Sequence, residues 1–231
     1  QALPAATLDG LEGAAGAFSP GSSGPGISLS DMPQLTSIAA LRNVTEVGSL
    51  GLSELPLLAD LTGLENVATA GRVRVIDLDS LVTLAGLGVT SVTVELRIAD
   101  NAQLESFVGL EGLVSLNNLV VQRNSVLADF TGLSGVTGTW NNVSIEENPT
   151  LVDFEGLGPV GTINALNIWG NASLVSLAGL ESVTTAGPIV IRGLSHSGCT
   201  EQNHDALVSL AGLENVTSLR ALRVWCVPAL S

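Results

Sequence analysis

The chain has 231 residues, 45% apolar and 13% charged, which is enough apolar material for one sizeable core and too much for general disorder. Its formal charge is −14, from 22 acidic residues against 8 basic ones, and every basic residue is arginine. A field of that sign repels polyanions, which excludes nucleic acid and anionic membrane surfaces as partners.

Residues 1–26, QALPAATLDGLEGAAGAFSPGSSGPG, share no register with the rest of the chain and end in a Gly/Pro/Ser stretch, the composition of a flexible tether or loose cap. The chain opens at Gln1 with no basic or apolar leader, so the expectation is an extracytoplasmic, secreted or cell-surface protein whose export signal has been removed, with a lipid or wall tether upstream as a further option. The longest uncharged run, Gly156 to Leu180, is interrupted by glycines, a proline and three asparagines, so no membrane insertion is expected.

From Ile27 onward a repeat takes over. An apolar triplet LxxLxxL begins at Leu35, Leu58, Leu81, Leu104, Leu127, Leu151, Leu174 and Leu207, with spacings of 23, 23, 23, 23, 24, 23 and 33. A period-two apolar pair keeps the same step, from Ile27 and Leu29 through Leu96 and Ile98 to Leu222 and Val224. The pair predicts a short strand with one face buried, and the triplet a tight turning segment with all three side chains inward. A unit of this size cannot bury its own apolar face, so copies must stack into a parallel solenoid in which equivalent residues form ladders.

Three ladders are predicted. Phe107, Phe130 and Phe154 occupy the middle triplet place in consecutive copies and should stack internally. Asn101, Asn124, Asn148 and Asn171 alternate with Met32, Leu55, Leu78 and Leu194 at one position, which predicts inward amides satisfying backbone groups at a bend. Gly63, Gly86, Gly109, Gly132, Gly156, Gly179 and Gly212 precede the last triplet leucine, consistent with positive φ or close backbone approach.

The segments LRIADNAQLESFVGLEGL and LNIWGNASLVSLAGLESV carry a pattern LxIxxNxxLxSLxGL that resembles the leucine-rich repeat family, and is most similar to its receptor L-domain branch. The resemblance covers residues 27–231. It implies an α/β-type leucine-rich repeat solenoid, mostly parallel β with little helix, of about nine right-handed 23-residue coils, found in ligand-binding lobes and surface proteins.

Ten extra residues enter the repeat between Ile191 and Leu207, an insertion assigned to 194–204. Cys199 lies in it and Cys226 follows the final strand, so a disulfide between them would staple the insertion over the last coil. His196, Cys199, His204 and Cys226 form an alternative zinc set, but their spacing matches no common finger and an exported setting favours the disulfide.

On the outward face of the strands the sequence concentrates Arg72, Arg74, Arg97, Arg123, Arg192, Arg220 and Arg223, together with Trp169 and Trp225. Arginine and tryptophan are enriched at binding hot spots, so Arg74, Arg97, Arg123, Trp169, Arg192, Arg223 and Trp225 are the predicted binding face. The opposing expectation is internal pairing of these arginines with acidic neighbours such as Glu95, Glu146 and Glu147.

Asp31, Glu54, Asp77 and Asp100 form an acidic column just past the strands. It is a weak calcium candidate, because the glycine-rich loops that complete repeat calcium sites are missing; solvation with nearby Arg74 and Arg97 is the favoured compensation for their repulsion. Sequons at Asn43, Asn142, Asn171 and Asn215 include one on the inward ladder, which argues for composition rather than glycosylation signals.

A polysaccharide-active solenoid enzyme is the strongest catalytic hypothesis. It needs two carboxylates across a cleft, or a lysine or arginine base beside a metal-bound uronate, and no repeat collects such a set. The expectation is therefore no enzyme and no cofactor, and an exported surface-recognition or adhesion module for a protein or glycan. The alternative is a structural cell-envelope protein with no specific ligand.

Overall fold

The computed structural model describes residues 6–7, 26–193 and 206–230. Leu194, His196, Cys199 and His204 lie outside the described residues, as does most of the N-terminal 26-residue segment.

Each period-two pair is a strand that points alternate side chains inward, and it satisfies its backbone on the copies before and after it. Ile27–Ser30, Glu46–Ser53, Thr69–Ile76, Ser91–Ala99, Asn118–Gln122, Asn142–Glu146, Leu166–Trp169, Thr185–Arg192 and Ser218–Trp225 follow one another across a 12-stranded sheet. All pairings are parallel, and the inward column runs Ile27, Leu50, Val73, Leu96, Leu119, Val143, Leu166, Ile189, Leu222, in the register that the repeat predicts. A second strip, formed by Ser115–Leu116, Gly138–Trp140 and Val160–Ile163, joins the long strands at both ends. The result is a mostly parallel β-solenoid with almost no helix, winding about seven turns of about 23 residues. Ala39–Leu41 is a single 3-10 turn.

The period of three in LxxLxxL has a backbone cause. The last leucine of each triplet closes a tight turn on the middle one, as in Leu64 N–H to the Leu61 carbonyl at 3.1 Å and Leu110 N–H to Phe107 at 3.0 Å. The middle residue instead donates to the next copy: Leu61 to Ala85, Leu84 to Val108, Phe107 to Thr131, Phe130 to Glu155, Phe154 to Ala178 and Leu177 to Ala211. Turning and stacking therefore alternate along the segment, and its leucines are buried apart from Leu157, Leu210 and Leu213, which are half-buried.

The three ladders form as predicted, except that Met32, at the head of the asparagine column, is exposed rather than inward. Phe107 and Phe130 stack with ring centroids 5.4 Å apart and planes within 6°, and Phe130 and Phe154 at 5.2 Å and 4°. Gly63 through Gly212 in the corner column have φ between 91° and 113°. They also press on the preceding copy: a Cβ on Gly132 would lie 2.1 Å from the Phe107 carbonyl oxygen. The buried asparagines pass hydrogen bonds from copy to copy, with the Oδ1 of each accepting the backbone N–H one turn earlier: Leu78 to Asn101, Asn101 to Asn124, Asn124 to Asn148 and Asn148 to Asn171, at 2.9–3.2 Å. Burial of Asn171 in this ladder leaves its sequon unable to carry a glycan in the folded chain.

Both ends depart from the repeat. Ala6–Thr7 pairs in parallel with Leu35–Ser37, so part of the N-terminal segment adds backbone to the first copy. In the last copy Leu219 and Leu222 are 43% and 40% exposed, whereas their counterparts Ala186 and Ile189 are buried.

Candidate recognition face

Because the inward pair occupies alternate places, the residues before, between and after it lie on the outer side of the sheet, most of them at least partly exposed, with Ala99, Val120 and Ser144 buried there among their neighbours. They form three outward columns. The middle one runs Ser28, Gly51, Arg74, Arg97, Val120, Ser144, Asn167, Val190, Arg223. The column after the pair runs Ser30, Ser53, Ile76, Ala99, Gln122, Glu146, Trp169, Arg192, Trp225.

This register divides the predicted binding residues into three groups. Arg74 and Arg97 are direct cross-strand neighbours, an arrangement that repels unless neutralised. Arg74 meets Glu95 at 3.4 Å, and Arg97 donates to Gln122 Oε1 at 2.7 Å while Gln122 Nε2 donates to Glu146 at 2.7 Å. Gln122 is thus a neutral relay between an arginine and a carboxylate, a role that no charge pattern in the sequence signals. The internal pairing expected for this part of the face is present.

At the other end Trp169, Arg192 and Trp225 are consecutive in one column, with Arg223 beside them in the next. The Arg192 guanidinium lies 5.8 Å from the centroid of the Trp169 ring, within cation–π range. Trp225 is 40% exposed. About 24 Å of sheet, five strand steps, separates Arg97 from Arg223.

Arg123 belongs elsewhere. With Asp31, Glu54, Asp77, Asp100 and Glu147 it occupies a corner column in which every residue has φ between 53° and 59°. Its Nε and Nη2 grip the Asp100 carboxylate at 2.6 and 2.8 Å, with Glu147 3.9 Å away. Hydrogen bonding to Asp100 holds the guanidinium pKa above its ordinary value against an opposing desolvation cost. The ion pair on the acidic column is therefore made by Arg123, while Arg74 turns to Glu95.

The corner column explains itself through the backbone. These residues still extend the ladder, as in Glu54 N–H to the Ile76 carbonyl at 3.1 Å, while their left-handed conformation turns the chain out of the sheet. Gly170 takes the same place with φ 68°. Among the described residues no three His, Cys, Asp or Glu side chains converge on a point that could hold a metal ion. Left-handed backbone is costly for glutamate and free for glycine, so Glu54→Gly is expected to raise stability by about 0.5–1 kcal/mol. A thermal melt checks it, with Asp100→Gly as a contrast that also forfeits the Arg123 pair.

Many remaining carboxylates close turns. Glu65, Glu111, Glu181 and Glu214 accept the N–H of the corner glycine two residues earlier, at 2.7–3.1 Å. Asp60, Asp129 and Asp153 accept the N–H two residues ahead at 2.8–2.9 Å. The GLE signature of the first set is visible in the sequence. Much of the acidic excess thus has a structural use.

No helix among the described residues is long and apolar enough to cross a membrane. The chain matches no family model, no curated protein and no solved structure. Fold and face define it as a parallel β-solenoid with a broad, partly self-neutralised outer sheet.

Proposed function

We propose that the chain is an exported, non-catalytic recognition or adhesion module of leucine-rich repeat, receptor L-domain-like type, binding a protein or glycan through its outward sheet face. The count of about nine right-handed coils belongs to this proposal, each outward-facing strand marking one, and so does a Cys199–Cys226 disulfide stapling the insertion. The observation that carries the proposal is the column Trp169, Arg192, Trp225 with Arg223 alongside, where aromatic and guanidinium surface collects on one edge of the sheet. Tryptophan offers large contact area at little cost in rotamer freedom, and the planar guanidinium offers a pre-organised fork of donors.

A second function, a structural envelope component without a ligand, is favoured by the Arg97–Gln122–Glu146 relay and the Arg123–Asp100 pair, which spend those two arginines within the protein. Trp225→Ala and Arg223→Ala separate the two. On a recognition module they weaken capture on a glycan array or by a surface-protein partner at least tenfold, with unchanged melting temperature. If every wild-type binding signal survives both changes, or the wild type has none, the recognition proposal falls.

A further inference from the structure

Near the N-terminal end of the same face a cleft of about 410 Å³ opens over the first copies, lined by Gly26, Ile27, Ser28, Ser49, Gly51, Leu52, Ser53, Arg74 and Ile76. It arises from a step in side-chain size: the outward columns carry serine and glycine at Ser28, Ser49, Gly51 and Ser53, then rise to Arg74 and Ile76 on the next strand. Its volume falls in the range of small-molecule sites, about 300–1,000 Å³.

Gly51 on its floor is not there for the fold. It sits inside the strand Glu46–Ser53 without positive φ, and a Cβ would meet nothing closer than 3.7 Å. A strand-interior glycine weakens a strand, and where no turn or neighbouring backbone requires it, it leaves space for something that approaches closely. Gly26 in the same cleft is the contrast, since its Cβ would strike the Ser49 carbonyl at 2.5 Å.

The lining specifies a chemistry. The guanidinium of Arg74 is held by one 3.4 Å contact to Glu95, on the strand away from the cleft, and its side chain stays 46% exposed. One guanidinium matches one carboxylate in charge and in its paired donors, and the net charge of −14 argues against any polyanion. The hydroxyls of Ser28, Ser49 and Ser53 can each donate and accept, as ligand hydroxyls require. Ile76, half-buried, offers an apolar wall. We infer that this cleft binds a monocarboxylate bearing several hydroxyl groups, of the kind a single uronic acid sugar presents, at a site separate from the tryptophan edge.

Titration of the full chain with glucuronate and galacturonate, followed by ligand-observed NMR, tests this against glucose and acetate. Binding of at least one uronate is expected, stronger than acetate or glucose by several-fold. Gly51→Val should abolish it by filling the floor while leaving the melting temperature unchanged or higher, and Arg74→Gln should weaken it at least tenfold. No uronate binding to the wild type, acetate binding as tight as uronate, or undiminished binding to a folded Gly51→Val chain would each overturn the inference. The tryptophan-edge variants leave this site intact, so failure here and failure of the recognition proposal are distinguishable.

Discussion

Gly132→Ala is expected to cost about 4 kcal/mol or more, enough to unfold much of the solenoid at moderate temperature. Two effects coincide at this position. Its φ of 110° is a conformation that L side chains rarely adopt, and the added Cβ would lie 2.1 Å from the oxygen and 2.3 Å from the carbon of the Phe107 carbonyl. Neither atom can yield, because Phe107 is held by its own bond to the next copy and by the phenylalanine stack. Relief would require separating two copies, which breaks hydrogen bonds along the sheet. Gly161→Ala is the matched control, since its Cβ meets nothing within 4 Å and its φ is not positive. It should be neutral or stabilising by about 0.4–1 kcal/mol. Urea denaturation of both variants checks the pair, and equal destabilisation would show that general loss of glycine, not the corner geometry, is responsible.

The second large effect is expected at the asparagine ladder. Asn124→Leu conserves volume and installs the residue that Leu55 and Leu78 carry at the same place, so packing alone predicts a small change. Hydrogen bonding predicts otherwise. The Asn124 Oδ1 accepts from the backbone N–H of Asn101 and from its Nδ2, at 3.2 and 3.1 Å, and its own Nδ2 donates to the Ile98 and Gln122 carbonyls and to Asn148. Leucine strands several of these buried groups, each worth about 1–3 kcal/mol when unsatisfied, for a total expected loss of about 3–5 kcal/mol. Asn101→Leu should cost less, because its Oδ1 receives only the backbone of Leu78, which has no side-chain amide to add a second bond. A chemical melt placing Asn124→Leu within about 1 kcal/mol of the wild type would show the ladder to be packing rather than hydrogen bonding.

The ladders were legible in the sequence because a solenoid makes sequence spacing equal to spatial neighbourhood. A residue 23 or 24 places on lies one strand away, so the phenylalanines, asparagines and corner glycines declared their contacts through period alone. The cysteine staple was legible only as an expectation, since Cys199 lies outside the described residues.

The outer face was less legible. Long charged side chains reach several neighbours from one backbone place, and only the tertiary arrangement selects among them. Arg97 reaches Glu146 through Gln122, and Arg123 leaves the face for the corner to hold Asp100. The acidic column invited an ionic explanation, yet its shared property is a left-handed backbone that extends the ladder and then turns.

By itself, then, the sequence determined which side chains face inward, in what order they stack and where the chain must turn, because those follow from periodicity and from the need to bury an apolar face. The tertiary structure alone decided which arginines are spent on internal partners, which strands bring tryptophan and arginine together and where a cleft appears. Those depend on side-chain length and reach between adjacent copies, quantities that no one-dimensional repeat encodes.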